Sequence, residues 1–320
     1  MKQFFYITFG GLAAIGVGIG IAYGGYMGWK VLKPHIAVST VASISNKTGS
    51  KTNDGTSISG LARTVRFSAD EEEDIINAAA QALPAGADSA ITAGAYVVRN
   101  ISGSNNAAQY NSDKLLPMAS LTKLITAVIA GRLLDPDQRI TINNQTMATY
   151  GNTAAFRVGE TFRVADMYYP LLMVSSNDAA EALAQAYGRK KFIQAMNDFT
   201  QSIGAYRTYV DDPSGLSANN VSTANDLVTI LSWIRENNPN ILAITGLKSK
   251  TVRDHTWTNP THFLSWSNYL GGKNGYTTEA NRTGVGLFSV GKTKAVYAVV
   301  VLGSDSRDKD VIKLLEKVGK

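Results

Sequence analysis

The longest apolar stretch comes first. Residues 3 to 29 carry no charge, and Phe4 to Trp29 is aromatic, aliphatic and glycine, long enough to cross the hydrocarbon core of a bilayer. The pattern predicts a transmembrane helix within residues 1–30, an uncleaved anchor rather than a removed leader, because the run exceeds a usual leader core and no clear Ala-x-Ala site follows. Lys2 precedes it and Lys30 and Lys33 follow, so basic residues do not set its orientation. Gly16, Gly20, Gly24 and Gly28 recur every fourth residue, a stripe along which a second copy could pack as a homodimer. Ser39 to Gly60 is rich in Ser, Thr, Gly and Asn, and residues 31–68 are read as a flexible spacer. A folded domain is expected over 69–320.

Within that domain the pattern changes from strand to helix and back. Asp70 to Asp74 followed by Ile75 and Ile76 predicts a helix start, with carboxylates at the positive end of the dipole. Ile91 to Arg99 is a strand candidate. Val285–Val290 and Ala295–Leu302, joined by Gly291-Lys-Thr293, read as a hairpin. Between them, apolar residues with helical spacing predict helices over 121–134, 165–173, 178–187, 189–203 and 223–236, and Val311 to Val318 predicts a closing helix. Strands at both ends with helices between give an α+β class: one antiparallel sheet flanked by helices, with an inserted helical subdomain.

Composition narrows the chemistry. The chain has 320 residues, 44% of them hydrophobic, no cysteine and three histidines, so disulfides and a thiol nucleophile are excluded. His35, His255 and His262 lack metalloprotease spacing and read as surface or loop residues, and no metal or cofactor is expected. The net charge of +6 is dispersed rather than clustered, which argues against nucleic-acid binding.

Three short motifs carry the chemistry: Ser120-Leu-Thr-Lys123, Ser175-Ser-Asn177 and Lys273-Asn-Gly275. Each is common alone. Ser289-Val-Gly-Lys292 falls in the expected hairpin turn, Ser306-Arg-Asp-Lys309 at a surface helix start, and Ser-x-Asn recurs at Ser104 and Ser217. Ser120 instead opens an apolar helical run, so Lys123, three residues on, shares its face. A serine hydroxyl needs a base beside it, and a lysine serves only if burial or a second cation lowers its proton affinity. Lys273 is the candidate second cation. Taken singly, Ser120, Ser175 and Asn177 also read as helix caps, and Lys273 as a solvated lysine in a glycine turn.

With their flanks, Met118-Ala-Ser-Leu-Thr-Lys-Leu-Ile-Thr-Ala, Val174-Ser-Ser-Asn-Asp-Ala-Ala-Glu-Ala-Leu-Ala and Gly272-Lys-Asn-Gly-Tyr-Thr resemble the D-alanyl-D-alanine carboxypeptidases, the low-molecular-weight penicillin-binding proteins. Asp212-Pro-Ser-Gly-Leu-Ser and Ser222-Thr-Ala-Asn-Asp-Leu extend the likeness over roughly residues 88 to 318. The resemblance implies a helical subdomain beside an antiparallel sheet with the site in the groove between, Ser120 coming from a helix, Ser175 from a loop and Lys273 from a strand edge. It implies Ser120 as acylated nucleophile, Lys123 as general base, Ser175 as proton relay to the leaving nitrogen, and Asn177 holding both substrate and Lys123. Lys273 to Thr277 would bind substrate: Lys273 faces its carboxylate, Asn274 stands where the family usually has Thr or Ser, and Gly275, Tyr276 and Thr277 complete the segment. Backbone NH groups of Ser120 and Tyr276 would form the oxyanion hole. The partners implied are the peptidoglycan stem peptide and β-lactams, with the protein held in the cell membrane by a single pass and its catalytic part outside. The extra C-terminal β domain of some members is expected to be absent.

Four rival readings stand against this one. No Gly-x-Ser-x-Gly string supports a serine-histidine-aspartate hydrolase. No Glu-x-x-Leu-Asn string follows Asn177, so β-lactamase turnover is not expected. Endopeptidase action of the same family, or a catalytically impaired cell-wall-binding homologue suggested by Asn274, stay open.

Overall fold

The computed structural model describes Asp88, residues 90–103 and residues 105–319. The expected anchor (1–30) with its glycine stripe, the spacer (31–68) and the acidic helix start at 70–74 lie outside the described residues. Among the described residues, no helix is long and apolar enough to cross a membrane.

The sheet is built from both ends of this region. It contains β1 (Ala95–Asn100), β2 (Asn106–Tyr110), β3 (Tyr269–Thr277), β4 (Asn281–Val290) and β5 (Ala295–Ser304) in the order β2-β1-β5-β4-β3. All four pairings are antiparallel, and β1 meets β5 from Ala95↔Leu302 to Asn100↔Tyr297. The expected hairpin is β4–β5. Everything between β2 and β3 leaves the sheet as the expected insert: α1 (Thr122–Leu133), α2 (Val164–Met173), α3 (Asn177–Tyr187), α4 (Arg189–Ser202), α5 (Ala224–Asn237) and α6 (Pro239–Thr245). A last helix, α7 (Arg307–Glu316), closes the other side.

The central strands are buried on both faces, which is why they read as unbroken apolar runs. Val97, Ala298, Val300 and Leu302 join the large core shared with the insert. Val98, Val299 and Val301 join a smaller core under α7 with Val311 and Leu314. Helix α1 runs through the large core, with every residue from Thr122 to Ala130 buried, so the Ser120 turn that it follows is anchored by packing.

Among the elements that escape the sequence pattern are β2, β3, α6 and a hairpin pairing Ser249–Val252 with His255–Thr258. The glycines of β3 weaken a strand reading, but the strand needs them: a Cβ on Gly272 would stand 2.1 Å from the Val285 carbonyl oxygen. The hairpin corrects the reading of His255. Rather than lying on the surface, it is 6% exposed, because alternation places His255 and Trp257 on one buried face. There the imidazole stacks on Trp257, and Nε2 lies 3.1 Å from Glu160. His262 is exposed, and His35 lies outside the described residues.

The chain ends are stapled by Asp310 in the first turn of α7. Its carboxylate accepts from Thr92 N (3.0 Å), Thr92 Oγ1 (2.7 Å) and Ser304 Oγ (2.6 Å), with Asp310 and Ser304 buried and Thr92 at the surface. Replacing it with Ala takes the charged acceptor from the buried Ser304 hydroxyl and releases Thr92, at a cost of about 2 kcal/mol. Urea denaturation of Asp310→Ala is expected to give a correspondingly lower midpoint with an unchanged slope.

Candidate active site

Ser120 sits in a 3-10 turn, Ala119–Leu121, that feeds directly into α1. Ala119 is in the left-handed region, at φ 49°, an uncommon conformation for a residue with a side chain. The turn is held on several sides. Thr122 Oγ1 donates to the Ala119 carbonyl (2.8 Å), Thr283 Oγ1 on β4 to the Met118 carbonyl (3.1 Å), and Met118 N to the Asn220 carbonyl (2.9 Å). Two glycines let other backbone approach. A Cβ on Gly215, itself at φ 88°, would lie 2.0 Å from the Ala119 carbonyl oxygen, and one on Gly275 of β3 would lie 2.9 Å from Ser120 N. The strand edge therefore runs against the amide of the nucleophile, which explains the glycine of the third motif.

Lys123 is one turn on and fully buried. Its Nζ contacts three oxygens: Ser120 Oγ at 2.9 Å, Asn177 Oδ1 at 2.7 Å and the Ser214 carbonyl at 2.6 Å. The Asn177 amide is oriented by its Nδ2, which donates to the Tyr150 carbonyl at 2.7 Å, so Oδ1 and the Ser214 carbonyl can only accept. A neutral amine uses its two N–H bonds on them and turns its lone pair to the Ser120 hydroxyl. Burial, and then the charge of Lys273, hold Lys123 well below the usual lysine range, while Asp212 and Asp178 pull the other way. Lowered in this way, the amine can stand unprotonated beside Ser120 and accept its proton.

The Ser214 carbonyl is placed by a loop wound around Asp212. The buried Asp212 carboxylate accepts from Ser214 N and Oγ, Gly215 N and Ser217 N. Burial would raise its proton affinity, but the Ser214 hydroxyl and the three amides outweigh it and hold Asp212 below the usual carboxylate range. Asn220 pins the loop to α1, donating to the Asp212 carbonyl (2.8 Å) and Thr122 Oγ1 (3.0 Å). The Asp212-Pro-Ser-Gly string was the available signal for this loop, but a carbonyl acceptor has no side-chain signature.

In the second motif the helix cap is Ser176, whose hydroxyl accepts from Ala179 N (3.0 Å). Ser175 is outside that cap, half-buried and left-handed at φ 59°. Lys273 is not in a solvated turn: it lies on the edge strand β3, 6% exposed, with Nζ donating to the Asn274 carbonyl at 2.7 Å. Burial and then Arg307 lower it to about 7. Arg307, the first residue of α7, is a cation that no motif indicated.

Alternation turns Asn274 away from Lys273 and Gly275. Its Nδ2 lies 3.5 Å from Thr261 Oγ1, beside a narrow crevice that Arg307 also lines. Tyr276 is 62% exposed, with the Arg282 guanidinium 5.7 Å from its ring centre. The Thr277 hydroxyl accepts from Ala280 N and closes the β3–β4 turn. Ser120, Lys123 and Asn177 are thus directly bonded, Lys273 acts on Lys123 through its charge, and Thr277 is engaged within its own strand connection.

Among known proteins, the family profile described as D-alanyl-D-alanine carboxypeptidase matches residues 78–306. A D-alanyl-D-alanine endopeptidase of Escherichia coli (strain K12) is 34% identical over 179 residues, which cover 54% of this chain and 56% of that protein. The chain spans about half the length of the curated relatives it matches. Two solved structures superpose over most of the described domain: a D-alanyl-D-alanine carboxypeptidase from Mycobacterium tuberculosis H37Rv (TM-score 0.66, 25% identity, 74% of this chain and 95% of that one) and penicillin-binding protein D2 from Listeria monocytogenes in its cefotaxime-bound form (TM-score 0.65, 25% identity, 72% and 98%).

The tight approach at Gly215 gives a direct test. Gly215→Ala is expected to displace the Ala119–Ser120 turn, lowering both the melting temperature and the rate of covalent reaction at Ser120, read by thermal denaturation and by labelling with a fluorescent penicillin.

Proposed function

Because the chain belongs to the D-alanyl-D-alanine carboxypeptidase family, we propose that it is a serine-type DD-peptidase that trims the stem peptides of peptidoglycan through an acyl-enzyme on Ser120. The observation that carries this reading is the valence of the Lys123 amine: two obligate acceptors occupy its N–H bonds, and the remaining position faces the Ser120 hydroxyl.

In this reading Ser120 Oγ attacks the carbonyl of the penultimate D-alanine while Lys123 takes its proton. The negative oxygen that forms is received by the backbone amides of Ser120 and Tyr276, each donor contributing about 3 kcal/mol in comparable acyl transfers. Ser175 passes a proton to the departing nitrogen, and water then cleaves the ester. Asn177 serves twice, fixing Lys123 and offering the substrate a peptide partner. Lys273 supplies positive charge for the terminal carboxylate, with Arg307 adding to the field from α7. Asn274 changes the shape of that end of the site without disturbing the bonded centre, which argues for altered preference over lost activity.

Endopeptidase action is the second reading, favoured by the 34% identity to an enzyme of that name. Both reactions use the same acyl-enzyme and differ in the leaving amine. Peptidoglycan lies outside the cytoplasmic membrane, so the catalytic domain belongs on that side, with residues 4–29 as the proposed single-pass anchor. β-Lactams would acylate Ser120 as substrate mimics, as expected of a fold shared with a cefotaxime-bound relative.

A fluorescent penicillin is expected to label the wild-type protein and not Ser120→Ala. Release of D-alanine from a peptide ending in D-Ala-D-Ala, against cleavage of a cross-linked dimer, separates the two readings. Absence of labelling in the wild type would overturn both.

The two lysines also predict a bell-shaped kcat/KM. Lys123 must be neutral, so activity falls on the acid side as it protonates. Lys273 carries its charge below about 7 and loses it above, so recognition of the carboxylate weakens as pH rises through that value. Lys273→Arg keeps the cation at all accessible pH and is expected to abolish the alkaline limb while the acid limb stays.

A further inference from the structure

Asp178 is the second residue of α3, directly after Asn177, and is completely buried. Neither of its carboxyl oxygens has a hydrogen-bond partner, and among the described residues no other buried side chain has polar atoms left in this way. Such a group costs several kcal/mol to bury. It follows Asn177, whose side chain holds Lys123 Nζ, on a helix that packs against α1.

The charged groups that face Lys123 come from three elements: Asp178 from α3, Asp212 from the loop before Gly215, and Lys273 from β3. Arg307 on α7 acts on Lys273, and Glu181, one turn along α3 from Asp178, is tied to Arg189 at 2.9 Å. The two acids differ in kind. Asp212 is committed to four hydrogen bonds within its own loop, whereas Asp178 has only its charge to offer. Burial raises Asp178, the Lys123 charge opposes it, and the carboxyl stands at about 6; each group favours the ionised form of the other.

We propose that Asp178 is a positioning residue for the acylation step, a buried countercharge that stabilises the ammonium created on Lys123 when the Ser120 proton arrives. The proton leaves Ser120 Oγ as the new ester bond forms and resides on Lys123 Nζ until it passes to the leaving nitrogen. Asp178 takes no part in bond making and does not touch substrate. Its effect is to keep Lys123 basic enough to accept a proton in a cavity that otherwise penalises the charge.

This inference rests on the acyl-enzyme reading, and the test is chosen to fail separately from it. Penicillin acylation rates are measured against pH for the wild type and Asp178→Asn, with melting temperatures alongside. Loss of the negative charge lowers the proton affinity of Lys123, so the acid limb is expected to move to lower pH by about one unit. The plateau rate is expected to fall by about tenfold or more, because the base is weaker. An acid limb that stays in place or moves up, whatever the melting temperature does, would assign Asp178 a purely structural part in α3 and overturn the proposal. A wild type that never labels would instead strike the acyl-enzyme itself.

Should Asp178→Asn not fold, the coupling is read from the other side in Lys123→Met. Isotope-edited infrared spectra of the aspartate carboxyls are expected to show a carboxylic-acid band that persists to higher pH than in the wild type, since coupling between two sites is reciprocal. The same titration in both proteins would overturn the proposal.

Discussion

The structure is arranged around one buried amine, Lys123 Nζ, which three oxygens hold in place. A lysine buried without acceptors would be a heavy liability, and one paired closely with a carboxylate would be too basic to leave its charge. The solution is two neutral carbonyl oxygens, one from Asn177 and one from the Ser214 backbone, which satisfy the N–H bonds without adding negative charge. Much of the surrounding architecture serves to place them. The Asp212-centred loop presents one, the start of α3 presents the other, and the buried first part of α1, Thr122 to Ala130, packs around the lysine stem.

Cations elsewhere refine that state. Lys273 disfavours a proton on Lys123, and Arg307 does the same to Lys273, so a chain of like charges runs from α7 through the sheet edge to the nucleophile. Two structural layers that share no core are thereby coupled electrostatically. The sheet contributes sterically as well, since its edge strand can reach the Ser120 amide only because residue 275 has no side chain.

Much of this was legible in the sequence. Helix α1 and the β4–β5 hairpin have clean periodicity, and the pairing of terminal strands around a helical insert followed from where the strands fell. The three motifs named Ser120, Lys123 and Asn177, which are bonded in the structure. What could not be read was anything set by backbone or by alternation against a distant neighbour. The Ser214 carbonyl has no letter of its own. The glycines of β3 spoke against a strand because the reason for them, close backbone on both sides, lies in other segments. His255 looked like a loop residue because its buried face is defined by Trp257 and Glu160 together. Arg307 seemed to be surface charge at a helix start until the fold brought it behind Lys273.

The pairing of β1 with β5 has a consequence for how the molecule comes into being. Strand β1 can pair at once with β2 but finds its other neighbour, β5, only when nearly the whole domain has been made, and such remote partners make folding slow. Until then the nucleophile turn lacks Thr283, Gly275 and Lys273, the groups that brace and electrify it. The Ser120 turn is therefore complete only when β3 and β4 have joined the sheet.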